Sequence, residues 1–218
     1  MSEFVVHGIP GSPFVRAVLM GLEEKGRSWT LIPLGPGASK SPEHLARHPF
    51  GRVPAVEHGD FALYETQAVL RYVDRLYPDP ALTPADPRLA ARMDQLAGVN
   101  DWYLMPQVGV PIGFPKVIAP RLGFPADTSK VAEAMPKARV CIGEIARLLG
   151  GQSFLAGEAL SLADLMIAPM LSLLMECEEG RELMAPHPAL RAWLQRMEAR
   201  PSMTATTWDR LLEISQAA

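Results

Sequence analysis

The chain has 218 residues, 48% hydrophobic and 21% charged, a balance that suits one large or two small globular domains. A net charge of −3 offers no basic surface for a nucleic-acid partner, and none is expected. The start, Met-Ser-Glu-Phe-Val, lacks the basic and apolar pattern of a signal peptide. The longest nearly apolar run, the 11 residues Leu165 to Met175, is too short to span a bilayer and reads as a buried helix. With only Cys141 and Cys177 present, free buried thiols in a cytoplasmic protein are expected, with no membrane partner.

Short β-like and helical patterns alternate over the first 77 residues. Phe4-Val5-Val6 predicts a strand, and Pro13 to Lys25 a helix stopped by Gly26. Trp29 to Leu34 predicts a second strand, whose Pro33 suits an end or edge. Ser41-Pro42-Glu43 has the cap, first-turn proline and acid of a short helix, which should end by Arg47 because His48 precedes Pro49. Val53 to Val56 and Phe61 to Tyr64 predict strands joined by the turn Glu57-His58-Gly59-Asp60. Thr66 to Leu76 places Val69, Leu70, Val73 and Leu76 on one helical stripe. The order is βαβαββα, with the first two strands parallel and the hairpin antiparallel.

Pro78 to Pro87 holds four prolines and reads as a linker. Beyond it lies an all-α region, 88–218. Arg88 to Val108 and Ser129 to Leu149 are its long helices, the second kinked at Pro136, and Gly109 to Ala126 is a proline-rich stretch without a clear period. Pro188 to Ala199 and Met203 to Ile214 predict the terminal helices. Leu160-Ser161-Leu162-Ala163-Asp164-Leu165 matches a capping box. Ser161 accepts from the Asp164 amide, Asp164 reaches back to the Ser161 amide, and Leu160 and Leu165 staple the turn. Its expected role is structural.

Ligands of parallel α/β units collect where strand ends meet helix N-termini, and three stretches qualify. Ser12 begins the first helix, either as a plain N-cap or as a hydroxyl that stabilises a thiolate. Arg52-Val53-Pro54 opens a strand; with a cis Val53–Pro54 bond the Val53 backbone would turn outward to an extended ligand, and otherwise it is an ordinary strand start. Glu65-Thr66 follows the fourth strand, where Thr66 as cap suits a carboxylate and Glu65 an amine, or the pair is simply a helix start. Other chemistries fit less well. His44 and His48 have no zinc-protease Glu between them and no third ligand, so they read as surface residues and no metal is expected. Neither a Gly-x-Ser-x-Gly elbow nor a phosphate loop occurs. Ser12 and Val15 occupy the places of a Cys-x-x-Cys pair, so thiol–disulfide exchange has no sulfur to use.

Together the three stretches resemble the cytosolic glutathione transferases. Ser12-Pro13-Phe14-Val15-Arg16-Ala17-Val18 is similar to the Ser-x-x-x-Arg-Ala-Val of the serine-type theta, delta and phi classes. His48-Pro49-Phe50-Gly51-Arg52-Val53-Pro54 is similar to their Asn-Pro-x-Gly-x-Val-Pro, and Phe61 to Thr66 to their strand ending in Glu-Ser. Gly157 to Asp164 matches the family's capping-box stretch. The chain departs from the pattern with Arg52 for Gln, Thr66 for Ser, and a Ser-Pro-Phe turn like the Cys-Pro-Phe/Tyr of omega members and glutaredoxins.

The resemblance implies a thioredoxin-like glutathione-binding domain over 1–77, a linker over 78–87 and an all-helical domain over 88–218. It implies glutathione as co-substrate, transfer to a small electrophile, a role in detoxification and a homodimer into which Phe50 inserts. Ser12 would hold the thiolate, Val53 before Pro54 the cysteinyl backbone, Glu65 and Thr66 the γ-glutamyl end, and Lys40 the glycyl carboxylate, with Arg52 as a further contact. Phe14, Tyr103 and Gln107 would meet the second substrate between the domains. A non-catalytic binding or scaffold module is the alternative within the same family.

Overall fold

The computed structural model describes Glu3–Ala217, with side chains described as far as Ile214. Residues up to Ala81 and from Arg200 onward form one compact unit, and Leu82–Ala199 form another. The first unit contains β1 (Phe4–Gly8), α1 (Pro13–Glu24), β2 (Trp29–Pro33), a 3-10 turn (Ala38–Lys40), α2 (Pro42–Arg47), β3 (Ala55–His58), β4 (Phe61–Tyr64) and α3 (Thr66–Leu76). The second contains α4 (Pro87–Val99), a wider helix (Asn100–Ile118), α5 (Ala119–Arg121), α6 (Val131–Leu149), α7 (Leu162–Leu174), α8 (Glu178–Met184) and α9 (Pro188–Glu198). Two last helices, α10 (Pro201–Ala205) and α11 (Trp208–Ala217), return to the first unit.

The sheet runs β2-β1-β3-β4, with β1 and β2 parallel and the other pairs antiparallel. Period-two alternation sends Phe4 and Val6 of β1 to one face, where they pack with Val15, Val18, Leu19 and Leu22 of α1 and Val69 and Val73 of α3. His7 takes the other face, where Glu57 lies 3.4 Å from its Nε2 and also accepts from Arg47 Nε of α2 at 2.8 Å. β3 starts two residues later than expected and runs on to His58, so Gly59-Asp60 alone makes the hairpin turn.

The C-terminal helices pack with the first unit. Leu211 of α11 joins the core of the first unit. Arg200 forms a two-pronged pair with Glu24 of α1, at 2.8 Å to each oxygen, and Arg16 donates to the Met203 carbonyl. Burial alone would raise the Glu24 carboxyl, but Arg200 and Ser202 hold it below the usual carboxylate range. The expected single helix over Met203 to Ile214 is two helices broken at Thr206-Thr207.

In the second unit α4 stops at Val99 and passes directly into nineteen residues wound more widely, with Pro106, Pro111 and Pro115 inside. Each proline removes a donor and crowds the carbonyl a turn earlier. At the end of this helix the Ala119 amide bonds the Phe114 carbonyl five residues back, the i→i+5 pattern of the wider winding. The stretch that looked aperiodic is therefore helical through Ile118.

The helix α7 is buried on nearly every side. Asp164 fixes its start, accepting from the Ser161 amide (2.9 Å), the Ser161 hydroxyl (2.7 Å), the Leu155 amide (2.8 Å) and Trp193 Nε1 (2.9 Å). Burial pushes its carboxyl up while these donors pull it down. Cys141 is buried and its thiol is pushed up to about 12 by desolvation, which leaves it inert.

Candidate functional site

Sheet register gathers the candidate residues. Gly8 at the end of β1 pairs with Pro33 at the end of β2, and His7 pairs with Ala55 at the start of β3. Ala55 in turn pairs with Tyr64 at the end of β4. The Ser12 turn, the loop carrying Lys40, Arg52-Val53-Pro54 and Glu65-Thr66 therefore all leave the same end of the sheet. That is the carboxyl end of the parallel strands, the usual ligand edge of such folds.

Ser12 is the N-cap of α1, but its Oγ accepts from the Val15 amide at a long 3.5 Å. A cap uses a lone pair of the oxygen; the hydroxyl proton has no acceptor among the described residues. Capping and donation to a bound anion are thus compatible in one side chain. Pro13 at the first helical position cannot donate, so the hydroxyl and the positive helix end are what the turn offers.

Gly11, with φ of +85°, shapes this turn and lies directly against Trp208 of α11. A methyl at Gly11 would stand 2.0 Å from the ring. The Gly11→Ala substitution is expected to lower the thermal midpoint and shift tryptophan fluorescence, because φ strain of about 1–3 kcal/mol adds to the clash. An unchanged midpoint and spectrum would contradict this packing. Sequence reasoning missed Trp208, since a residue so far along the chain gives no local sign of docking here.

The Val53–Pro54 bond is cis, and Val53 lies outside the ladder, which begins at Ala55. Glu65 was not expected to carry the helix start: it holds φ of 70°, the sole positive value outside glycine among the described residues, and occupies the N-cap position of α3. Thr66 is therefore the buried first helical residue and not the cap. No side chain caps the helix, whose first backbone bond runs from the Val69 amide to the Glu65 carbonyl. Strained backbone of this kind concentrates at ligand sites.

Lys40 and Arg52 are exposed and have no acidic partner among the described residues. Lys40 Nζ donates to the Phe50 carbonyl at 3.2 Å and folds over Gly51, whose φ of +59° and lack of a side chain permit the approach. Phe14 is half-buried on α1; exposed Tyr103 and half-buried Gln107 belong to the wide helix of the second unit.

The two histidines read as surface residues are instead buried, each 2% exposed, while their neighbour Leu45 is 37% exposed. His44 Nε2 lies 2.7 Å from the Arg52 carbonyl. The His48 ring packs against that of Tyr64, tilted by 31° with centroids 4.6 Å apart. Burial lowers the His48 imidazole from its ordinary value, against the pull of Glu65. No group of three or more His, Cys, Asp or Glu among the described residues is placed to hold a metal, and no described helix is long and apolar enough to cross a membrane.

A four-stranded mixed sheet with a cis-proline before its third strand and a hydroxyl at its first helix defines a thioredoxin-like unit, here followed by a helical one. Residues 6–81 match the family model for the glutathione S-transferase N-terminal domain, and residues 131–196 that for the C-terminal domain. The chain is 34% identical to glutathione S-transferase 4 of Zea mays over 204 residues, covering 90% of this chain and 88% of that protein. The structure superposes on glutathione transferase F7 from Populus trichocarpa with a TM-score of 0.82 at 26% identity, covering 97% and 99% of the two chains. It also superposes on glutathione S-transferase I from mais in complex with an atrazine glutathione conjugate, with a TM-score of 0.80 at 28% identity and 100% of each chain. The chain belongs to the glutathione S-transferase family.

Proposed function

We infer that this protein is a glutathione transferase of the serine type that conjugates glutathione to a small, apolar electrophile. The observation that carries the reading is the meeting of Ser12, Val53-Pro54 and Glu65-Thr66 at one sheet end, with the Ser12 proton uncommitted. In this reading the Ser12 hydroxyl and the positive end of α1 stabilise the glutathione thiolate, whose proton leaves to solvent. The sulfur then forms a bond to the electrophilic carbon, and the leaving group departs with its electron pair.

The Val53 backbone, turned by Pro54, takes the cysteinyl residue. Glu65 faces the γ-glutamyl amine, while Thr66 and the uncapped start of α3 face its carboxylate. Lys40 and Arg52, both without acidic partners among the described residues, suit the glycyl carboxylate. Phe14 is the side chain proposed to meet the electrophile; the roles given to Tyr103 and Gln107 rest on the family pattern alone. Initial rates with glutathione and an activated aryl halide test the activity. Saturation in both substrates with one thioether formed per glutathione is expected, and glutathione binding without turnover of halide, isothiocyanate or peroxide would favour a non-catalytic module.

The same reading gives a cytoplasmic homodimer. Phe50 supports it: the ring is 66% exposed although it packs edge-on to His48 and Tyr64. An exposed aromatic anchored at its base suits insertion into a partner's pocket. Phe50→Ala is expected to give a monomer by sedimentation, weakening association by about 2–4 kcal/mol; an unchanged dimer mass would remove Phe50 from the interface.

A further inference from the structure

His44 is a buried polar group at this edge that the reading above leaves without a task. Its Nε2 is 2.7 Å from the Arg52 carbonyl oxygen. A carbonyl only accepts, so Nε2 carries the proton and donates. Nδ1 is buried and has no partner among the described residues, so the bond to Arg52 is the ring's one anchoring contact of this type.

The Arg52 carbonyl belongs to the same peptide unit as the Val53 amide. A trans peptide is planar, with its C=O and N–H pointing in opposite directions. A donor held rigidly behind the oxygen therefore aims the N–H away from α2. The Val53 amide meets no acceptor among the described residues, so it is free for an incoming carbonyl. Donation to the oxygen also polarises the peptide and makes its N–H a stronger donor.

The ring itself is fixed. Ser41 caps the His44 amide at 3.2 Å, the His48 amide returns to the His44 carbonyl at 2.8 Å, and the side chain is almost fully enclosed. Downstream, the Gly51 amide bonds the His48 carbonyl at 2.8 Å, so the loop between the helix and the Arg52–Val53 peptide has little slack.

We propose that His44 is a positioning residue for glutathione: its Nε2–H orients the Arg52–Val53 peptide so that the Val53 amide meets the cysteinyl carbonyl. The proposal rests on the glutathione-transferase reading. It is specific to binding, because in that reading the peptide meets the cysteinyl carbonyl and not the sulfur.

Three variants test it. His44→Leu keeps bulk and removes the donor; His44→Asn keeps an amide that is too short to reach the Nε2 position; His44→Gln places an N–H close to it. The expected result is a KM and Kd for glutathione raised about tenfold in His44→Leu and His44→Asn, the loss of one useful hydrogen bond. His44→Gln should stay within about threefold of the wild type, and kcat at saturating glutathione and KM for the electrophile should be unchanged throughout. A folded His44→Leu or His44→Asn that binds glutathione as the wild type does overturns the proposal, as does His44→Gln behaving no better than His44→Leu. If His44→Leu does not fold, the Asn and Gln pair decides; loss of folding in all three assigns His44 to the core and also overturns it. A wild type that binds no glutathione in the same titration removes the underlying reading instead, so the two failures are distinct.

Discussion

Replacing Ser12 with alanine is expected to lower kcat/KM for conjugation by about 10- to 100-fold, the value of one hydrogen bond to an anion. The substitution deletes the hydroxyl proton, which has no acceptor among the described residues, together with the 3.5 Å cap to Val15. At that length the cap stabilises weakly, so the stability change should lie near the low end of the range for cap removal, about 0.5 kcal/mol. Two further variants separate the functions. Ser12→Thr keeps both cap and donor and should keep most activity. Ser12→Asp keeps a capping oxygen but brings a negative charge to the thiolate, and should be at least as inactive as alanine while folding well. Equal activity of Ser12→Ala and wild type would move thiolate stabilisation to backbone amides.

The largest stability loss is expected at Asp164. Its carboxyl receives four hydrogen bonds, three of them from N–H donors that, unlike the Ser161 hydroxyl, cannot rotate to another acceptor: the Leu155 amide, the Ser161 amide and Trp193 Nε1. In Asp164→Ala these donors remain buried without an acceptor, at roughly 1–3 kcal/mol each before relaxation. A net loss of about 3–5 kcal/mol is expected, a large share of a typical domain's stability. Asp164→Asn should recover little, because one amide oxygen cannot replace two carboxylate oxygens. Denaturant unfolding followed by Trp193 fluorescence measures the shift. A loss below about 1 kcal/mol would mean the capping box is dispensable.

Much of the first unit was legible because its elements are short, regular and bounded by turn chemistry. Phe4-Val5-Val6, the Ser41-Pro42-Glu43 start and the Thr66–Leu76 stripe each carry their own period or cap. The candidate residues were legible as separate stretches; register then brought them to one edge. Three features depend on tertiary context that no local pattern contains. Leu45 beside two histidines suggests an apolar residue facing inward, yet the sheet face under α2 already presents His7 and Glu57, and the imidazoles take the inner side. Pro106, Pro111 and Pro115 read as breakers because each removes a backbone donor, yet all three lie inside the wide helix. Glu65 shows no preference for positive φ, so its strained turn at the helix start appears only in the fold.

In the proposed function the Ser12 turn keeps a bound glutathione ionised. Glutathione titrated into the protein near neutral pH, with thiolate absorbance followed in the ultraviolet, tests it most directly. Wild type should bind saturably and show a thiolate signal whose midpoint lies about 1–2 pH units below that of free glutathione, and Ser12→Ala should bind with the midpoint returned upward by a similar amount. A signal identical in both proteins, or binding by wild type with no thiolate at all, would contradict the account.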